Sequence, residues 1–100
     1  MDTRRGAARI IWYEMNDVRF SDHARLEVVR RDIPFEVVEQ VLSSPEQVVP
    51  EHGGLVARQS RVELEGKQYL VRVIVAEQPD ATVVVTAYRT SRIGKYWRSK

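Results

Sequence analysis

The feature that most limits what this chain can fold into is a switch of hydrophobic period at Ser44-Pro45. Before it, Phe35, Val38, Val41 and Leu42 recur at helical spacing, with Glu36, Glu39, Gln40 and Ser43 between them. That is the pattern of an amphipathic helix with one buried face. After it, apolar residues alternate along Leu55–Leu64, Gln68–Ala76 and Thr82–Tyr88, as in half-buried strands. Glu65-Gly66-Lys67 and Gln78-Pro79-Asp80 supply turns between these runs, so the strands form an antiparallel meander. Gln47-Val48-Val49 can add a short fourth strand. Helices first and strands afterwards read as α+β: two N-terminal helices on an antiparallel sheet of three to four strands.

The first helix opens at Phe20-Ser21-Asp22-His23. Ser21 is a good N-cap, and Asp22 suits the positive end of the helix dipole. The helix is expected to reach about Arg31, with Leu26, Val29 and Val28 toward the core. His23, Glu27 and Arg30 then share the outward stripe. Asp32-Ile33-Pro34 breaks this helix and begins the next, with Asp32 or Ile33 near its cap and Pro34 in its first turn.

Alternation also assigns sheet faces. Tyr69, Val71, Val73 and Val75 share one face with Val83, Val85 and Ala87, which is the platform for the helices. The other face carries Arg72, Thr86 and Tyr88 and is expected to be open. Arg58 and Ser60 share a parity, but the apolar pattern shifts at Gln59, and a bulge there would leave their face undecided.

A chain of 100 residues that is 43% hydrophobic and 30% charged has the makeup of one globular domain. Residues 15–100 are taken as that domain and residues 1–14 as an extension. With no cysteine, disulfides and thiolate metal sites are excluded. No apolar run is long enough to cross a membrane as a helix, and no secretory signal is visible. A cytoplasmic monomer or homodimer is the expectation, with residues 1–14 able to cover an exposed strand edge.

The net charge of +2 hides a segregated distribution. Five acids (Asp32, Glu36, Glu39, Glu46 and Glu51) and no Lys or Arg lie between Asp32 and Ala57. Five bases (Arg89, Arg92, Lys95, Arg98 and Lys100) and no acids lie between Ala81 and Lys100. A basic end is a footprint for RNA or for an acidic protein; a solvated tail is the plainer alternative.

Three motifs in order resemble one family: Phe20-Ser21-Asp22-His23-Ala24, Arg31-Asp32-Ile33-Pro34-Phe35-Glu36-Val37, and Val84 to Arg92 followed by Lys95-Tyr96-Trp97. Together they are similar to the domain-of-unknown-function family numbered 4258, over about residues 18–97. The resemblance implies a barnase–RelE-like α+β fold shared with BrnT-type toxins. It also implies toxin-like, metal-independent RNA endonuclease activity, with a protein antitoxin as a partner.

Such cleavage needs a base for the 2′-hydroxyl, a cation for the crowded phosphorane and an acid for the departing 5′-oxygen. General acid–base help contributes about 10²–10⁴-fold and one placed donor about 10²–10³-fold. His23 is the candidate base or acid, and a first-turn position favours the neutral imidazole a base needs; an exposed histidine bonded near the helix start is the plainer reading. Arg58, Arg72 and Arg89 offer guanidinium forks for phosphate, or simply cover apolar surface with their stems. Thr86 and Tyr88 can donate hydrogen bonds or act as acid, although strands favour both residue types anyway. Arg92, Lys95 and Tyr96 offer RNA contacts with Trp97 beside them, or Tyr96 and Trp97 anchor the C-terminus on the domain. Glu63 and Glu65 lack a third ligand, so neither a metal nor another cofactor is expected. If chemistry is absent, the same scaffold serves as a non-catalytic RNA- or protein-binding module.

Overall fold

A computed structural model describes residues 18–99 of the chain. The expected extension at residues 1–14 lies outside the described residues. The elements in chain order are β1 (Val18–Phe20), α1 (Asp22–Arg30), α2 (Phe35–Ser43), β2 (Gln47–Pro50), β3 (Val56–Leu64), β4 (Lys67–Gln78), β5 (Ala81–Thr90) and α3 (Ile93–Tyr96). A single 3₁₀ turn, His52–Gly54, joins β2 to β3.

The fold is α+β, but the sheet is larger than the alternation implied. Five strands run in the order β1-β5-β4-β3-β2. β2 to β5 are antiparallel neighbours, as expected for the meander. β1 pairs parallel to β5 over Val18–Phe20 and Thr82–Val84, which makes the sheet mixed. Three residues are too few to show alternation, so the sequence merged this strand into the helix opening.

Ser21 ends β1 and caps α1 at once. Its amide donates to the Val84 carbonyl, and its hydroxyl accepts from the Ala24 amide at 3.0 Å. α1 is rotated relative to the expectation. Ala24, Glu27 and Val28 face inward, while Leu26 and Val29 are 67% and 78% exposed. Helical spacing alone gives two candidate stripes here, and the one carrying a carboxylate is the buried one. α1 ends in a Schellman arrangement: the Asp32 amide donates to Val29 and the Ile33 amide to Val28. Pro34 is the N-cap of α2 rather than a first-turn residue, its carbonyl accepting from Val37 and Val38.

Both long helices pack on one face of the sheet. Ala24, Val28, Ile33, Val38, Val41 and Leu42 enclose the core with Val71, Val73, Val75, Val84 and Ala87. Val84 is on this face, while Val83 and Val85 are half-buried. The reason is a bulge in β5: Val75 pairs with Val84 but Ile74 pairs with Thr86, leaving Val85 as the extra residue. The register of β3 with β4 is unbroken at Gln59, so no bulge occurs there. Arg58 and Ser60 therefore stand with Val73 and Val71 on the helix-bearing face.

The second sheet face is not open. Val49, Ala57 and Ile74 form a small core there with Leu55 and Tyr88 packed against it. The segment after β5 folds back over this face. The Gln59 side-chain amide donates to the Tyr96 carbonyl, and Gln47 exchanges hydrogen bonds with the backbone of Arg98. Arg61 stacks on the Trp97 ring, 4.0 Å from its centroid. No helix among the described residues is long and apolar enough to cross a membrane.

Candidate functional site

The sequence-selected residues divide between the two sides of the sheet. His23 is exposed in the first turn of α1, the helix that packs on the core side. Arg58 is on that side too. Its Nη1 donates to the Leu42 carbonyl at 2.8 Å, closing the end of α2, and its Nη2 lies 3.3 Å from Glu77. Arg72, Thr86 and Tyr88 occupy the opposite face, where Arg72 pairs with Tyr88 and Ile74 with Thr86 across β4 and β5. The structure thus brings Arg72 and Tyr88 together and does not bring His23 or Arg58 to them.

Arg72 is the centre of a buried polar network. It is 3% exposed, and the Gln59 beneath it is fully buried. Its Nε donates to Gln59 Oε1 at 2.7 Å, its Nη2 to Glu51 Oε2 at 2.7 Å, and its Nη1 to the Tyr88 hydroxyl. The guanidinium also lies 4.4 Å from the Tyr96 ring centroid. Burial pushes the Tyr88 phenol above its ordinary range, with Arg72 pulling it part of the way back. Gln59 explains why the apolar pattern of β3 breaks: an inward polar side chain is satisfied by Arg72, Gln47 and the Tyr96 carbonyl. Tyr96 anchors the C-terminal segment and packs edge-on against Tyr88, with ring centroids 6.1 Å apart.

The solvent-facing chemistry gathers where α1 ends beside β5. Arg30, Arg31, Asp32, Tyr88 and Arg89 line an open depression of about 550 Å³. Arg31 is its best-positioned member. Its Nε lies 2.7 Å from Glu27 Oε1, and its Nη1 donates to the Ala87 carbonyl at 2.9 Å. The ion pair and the one hydrogen bond restrain its plane, and a guanidinium has five N–H donors, so others remain for a ligand. Glu27, only 5% exposed, is the carboxylate that holds it. Arg89 stacks on the Tyr69 ring, 4.7 Å from its centroid, which steadies the second guanidinium. Arg92 and Lys95 follow as exposed side chains, while the exposed Arg98 lies by Gln47 on β2, at the opposite edge of the sheet.

Sequence reasoning passed over Glu27, Arg31, Asp32, Glu51 and Gln59 as site residues. A signal existed for one pair: Glu27 and Arg31 are four apart on a helix, the spacing of an ion pair. The inward orientation of Glu27 carried none. Among the described residues, no three His, Asp or Glu side chains gather as metal ligands.

Comparison with known proteins gives one finding. Residues 20–89 match the model of the family described as Domain of unknown function (DUF4258). No curated protein and no solved structure matches the chain. The match runs from the start of the α1 opening to the Arg89 of the depression, and by it the chain belongs to the DUF4258 family.

Proposed function

We propose that this chain is an RNA-binding domain that grips phosphate groups at its basic end. The observation that carries this reading is the meeting of Arg30, Arg31 and Arg89 around Tyr88 in one depression. Arg31 is held there by a buried carboxylate and a backbone carbonyl, so little side-chain freedom is lost when it takes a phosphate oxygen. RNA is favoured as the ligand by the family's barnase–RelE-like resemblance and by the exposed cations Arg92 and Lys95 that follow Arg89 in the chain. The test is RNA binding measured against salt. Each phosphate contact contributes a slope of about −0.7 in log affinity against log salt for a single strand. Arg89→Ala and Lys95→Ala should each flatten the slope by about that amount. Salt-independent binding, or none at low salt, would overturn the reading.

A second reading is toxin-like, metal-independent RNA cleavage, which the presence of Tyr88 among the arginines of the depression favours. Guanidinium groups would stabilise the phosphorane and a phenol would supply a proton. His23 would have to act from α1 on a substrate that reaches across the β5 edge. A protein antitoxin in such a pair would cover the depression. Cleavage in EDTA by wild type, His23→Ala and Tyr88→Phe decides this reading. No cleavage of free or ribosomal RNA by wild type removes it, and full activity in either variant removes that residue from it.

A further inference from the structure

Asp32 is an odd residue for its place. It occupies the left-handed position that follows α1, with φ of 59°, where the Schellman arrangement ordinarily takes glycine. A β-carbon there costs stability, although aspartate tolerates the conformation better than most residues. Its exposed side chain makes no hydrogen bond or ion pair to another described residue that would offset the cost. Backbone that is left less comfortable than it could be is found preferentially at functional sites. Asp32 also stands in a depression otherwise lined by three arginines and a tyrosine. A site for phosphate alone gains nothing from a carboxylate, which repels the anion. A ligand carrying a hydroxyl beside its phosphate gains an acceptor.

We infer that the depression is a ribonucleotide site in which Asp32 accepts a hydrogen bond from the ribose 2′-hydroxyl. Arg30, Arg31 and Arg89 take the neighbouring phosphate. Tyr88 offers a half-buried ring surface, braced from behind by Arg72 and Tyr96. Asp32 is thereby the residue that distinguishes RNA from DNA, because the 2′-hydroxyl is the group DNA lacks. This inference rests on the RNA-binding reading and adds the specificity determinant to it.

The test compares a short single-stranded RNA with its all-2′-deoxy counterpart, on wild type, Asp32→Gly and Asp32→Asn. The quantity read is the ratio of the two affinities, in which electrostatic repulsion common to both strands cancels. Wild type should prefer RNA by about 3- to 10-fold, the range of one hydrogen bond. Asp32→Gly should bring the ratio to about one while raising the melting temperature by about 2–6 °C, since it relieves the left-handed strain. Asp32→Asn keeps an acceptor oxygen and should retain much of the preference while binding both strands more tightly. Equal binding of both strands by wild type, or an unchanged ratio in Asp32→Gly, overturns the role of Asp32 and leaves RNA binding standing. Absence of binding to either strand overturns the RNA-binding reading and this inference with it.

Discussion

Replacing Arg72 with methionine should cost a substantial part of the domain's stability without removing a ligand contact. Methionine fills much of the space of the arginine stem, so cavity formation contributes little. What is lost is the set of donors. Gln59 Oε1, 2.7 Å from Arg72 Nε, belongs to a fully buried residue and loses the only donor it has among the described residues. Leaving such an acceptor unmet costs about 1–3 kcal/mol. Glu51 loses its partner too, but its side chain is 26% exposed, so water replaces part of the interaction. The cost therefore falls below the roughly 3–5 kcal/mol of a fully buried broken pair. A total of about 2–3 kcal/mol is expected, since the bonds share one guanidinium and do not add independently. For a domain of this length that lowers the melting temperature by about 8–20 °C. Thermal and urea unfolding followed by circular dichroism measure it, with an unchanged urea slope showing that the same surface is exposed. Adding Glu51→Gln to Arg72→Met should recover part of the loss, because the carboxylate charge left without its partner is removed. A melting temperature for Arg72→Met within about 3 °C of wild type would show that the network contributes little and refute the reasoning.

Three further outcomes follow from the same geometry. Burial holds the Tyr88 phenol above its ordinary value of 10.0, so its contribution to stability is complete below pH 10 and is lost as pH rises through the folded value. Alkaline melts should therefore decline less steeply in Tyr88→Phe, and near-ultraviolet titration of wild type should show a late-ionising tyrosine. Hydrogen bonds from Arg61 hold the Glu46 carboxyl below its ordinary value of 4.5, so that contribution is present above pH 4.5 and lost as pH falls through the folded value. The pair is exposed, and the melting difference between wild type and Glu46→Gln should be small at neutral pH and vanish in acid. At the β3–β4 hairpin, Glu65 and Gly66 both have positive φ, 54° and 78°, which is the two-residue turn that suits twisted strands. Gly66→Ala should lower stability by about 1 kcal/mol and Glu65→Asn should raise it by a few tenths, both read by urea unfolding.

The parts of the fold that were legible are those where one physical preference acts alone. The Ser21 cap, the Glu65-Gly66 turn and the face of β4 were each dictated by a local rule, and each formed. The parts that were not legible are those where a tertiary contact outweighs the local pattern. Glu27 turns inward because Arg31 meets it from the next turn, and the exposed Leu26 and Val29 follow from that rotation. Arg72 reads as a solvent-facing strand arginine until Gln59, Glu51 and the folded-back Tyr96 are seen around it. Charge segregation along the chain misled in the same way. Glu46 and Glu51 sit in the acidic stretch, yet both pair with arginines of the following strands, so the segregation is partly cancelled in space. What survives is the run of cations from Arg89 onward.

The depression owes its place to the shortness of β1. Pairing with β5 stops at Val84, so the outer edge of β5 beyond the bulge has no strand beside it among the described residues. An unpaired edge invites association with other chains and is usually blocked by a charged side chain or an adjoining element. Here α1 continues from β1 alongside that edge, and Arg31 at its end reaches the Ala87 carbonyl. Glu27 is buried beneath to hold the guanidinium in that position, and the ion pair in turn makes burial of the carboxylate tolerable. The same arginine that protects the edge thus presents its remaining donors to solvent next to Arg89 and Tyr88. Edge protection and the proposed anion recognition use one arrangement, so a change that weakens one should weaken the other. Glu27→Gln keeps the volume and a hydrogen-bond acceptor but removes the charge that orients Arg31. It should reduce RNA affinity by about 3- to 10-fold, the range of one oriented hydrogen bond, although Glu27 itself touches no ligand. It should also promote self-association at high protein concentration, read by sedimentation. Lower affinity with an unchanged monomer, or the reverse, would separate the two roles that the geometry joins.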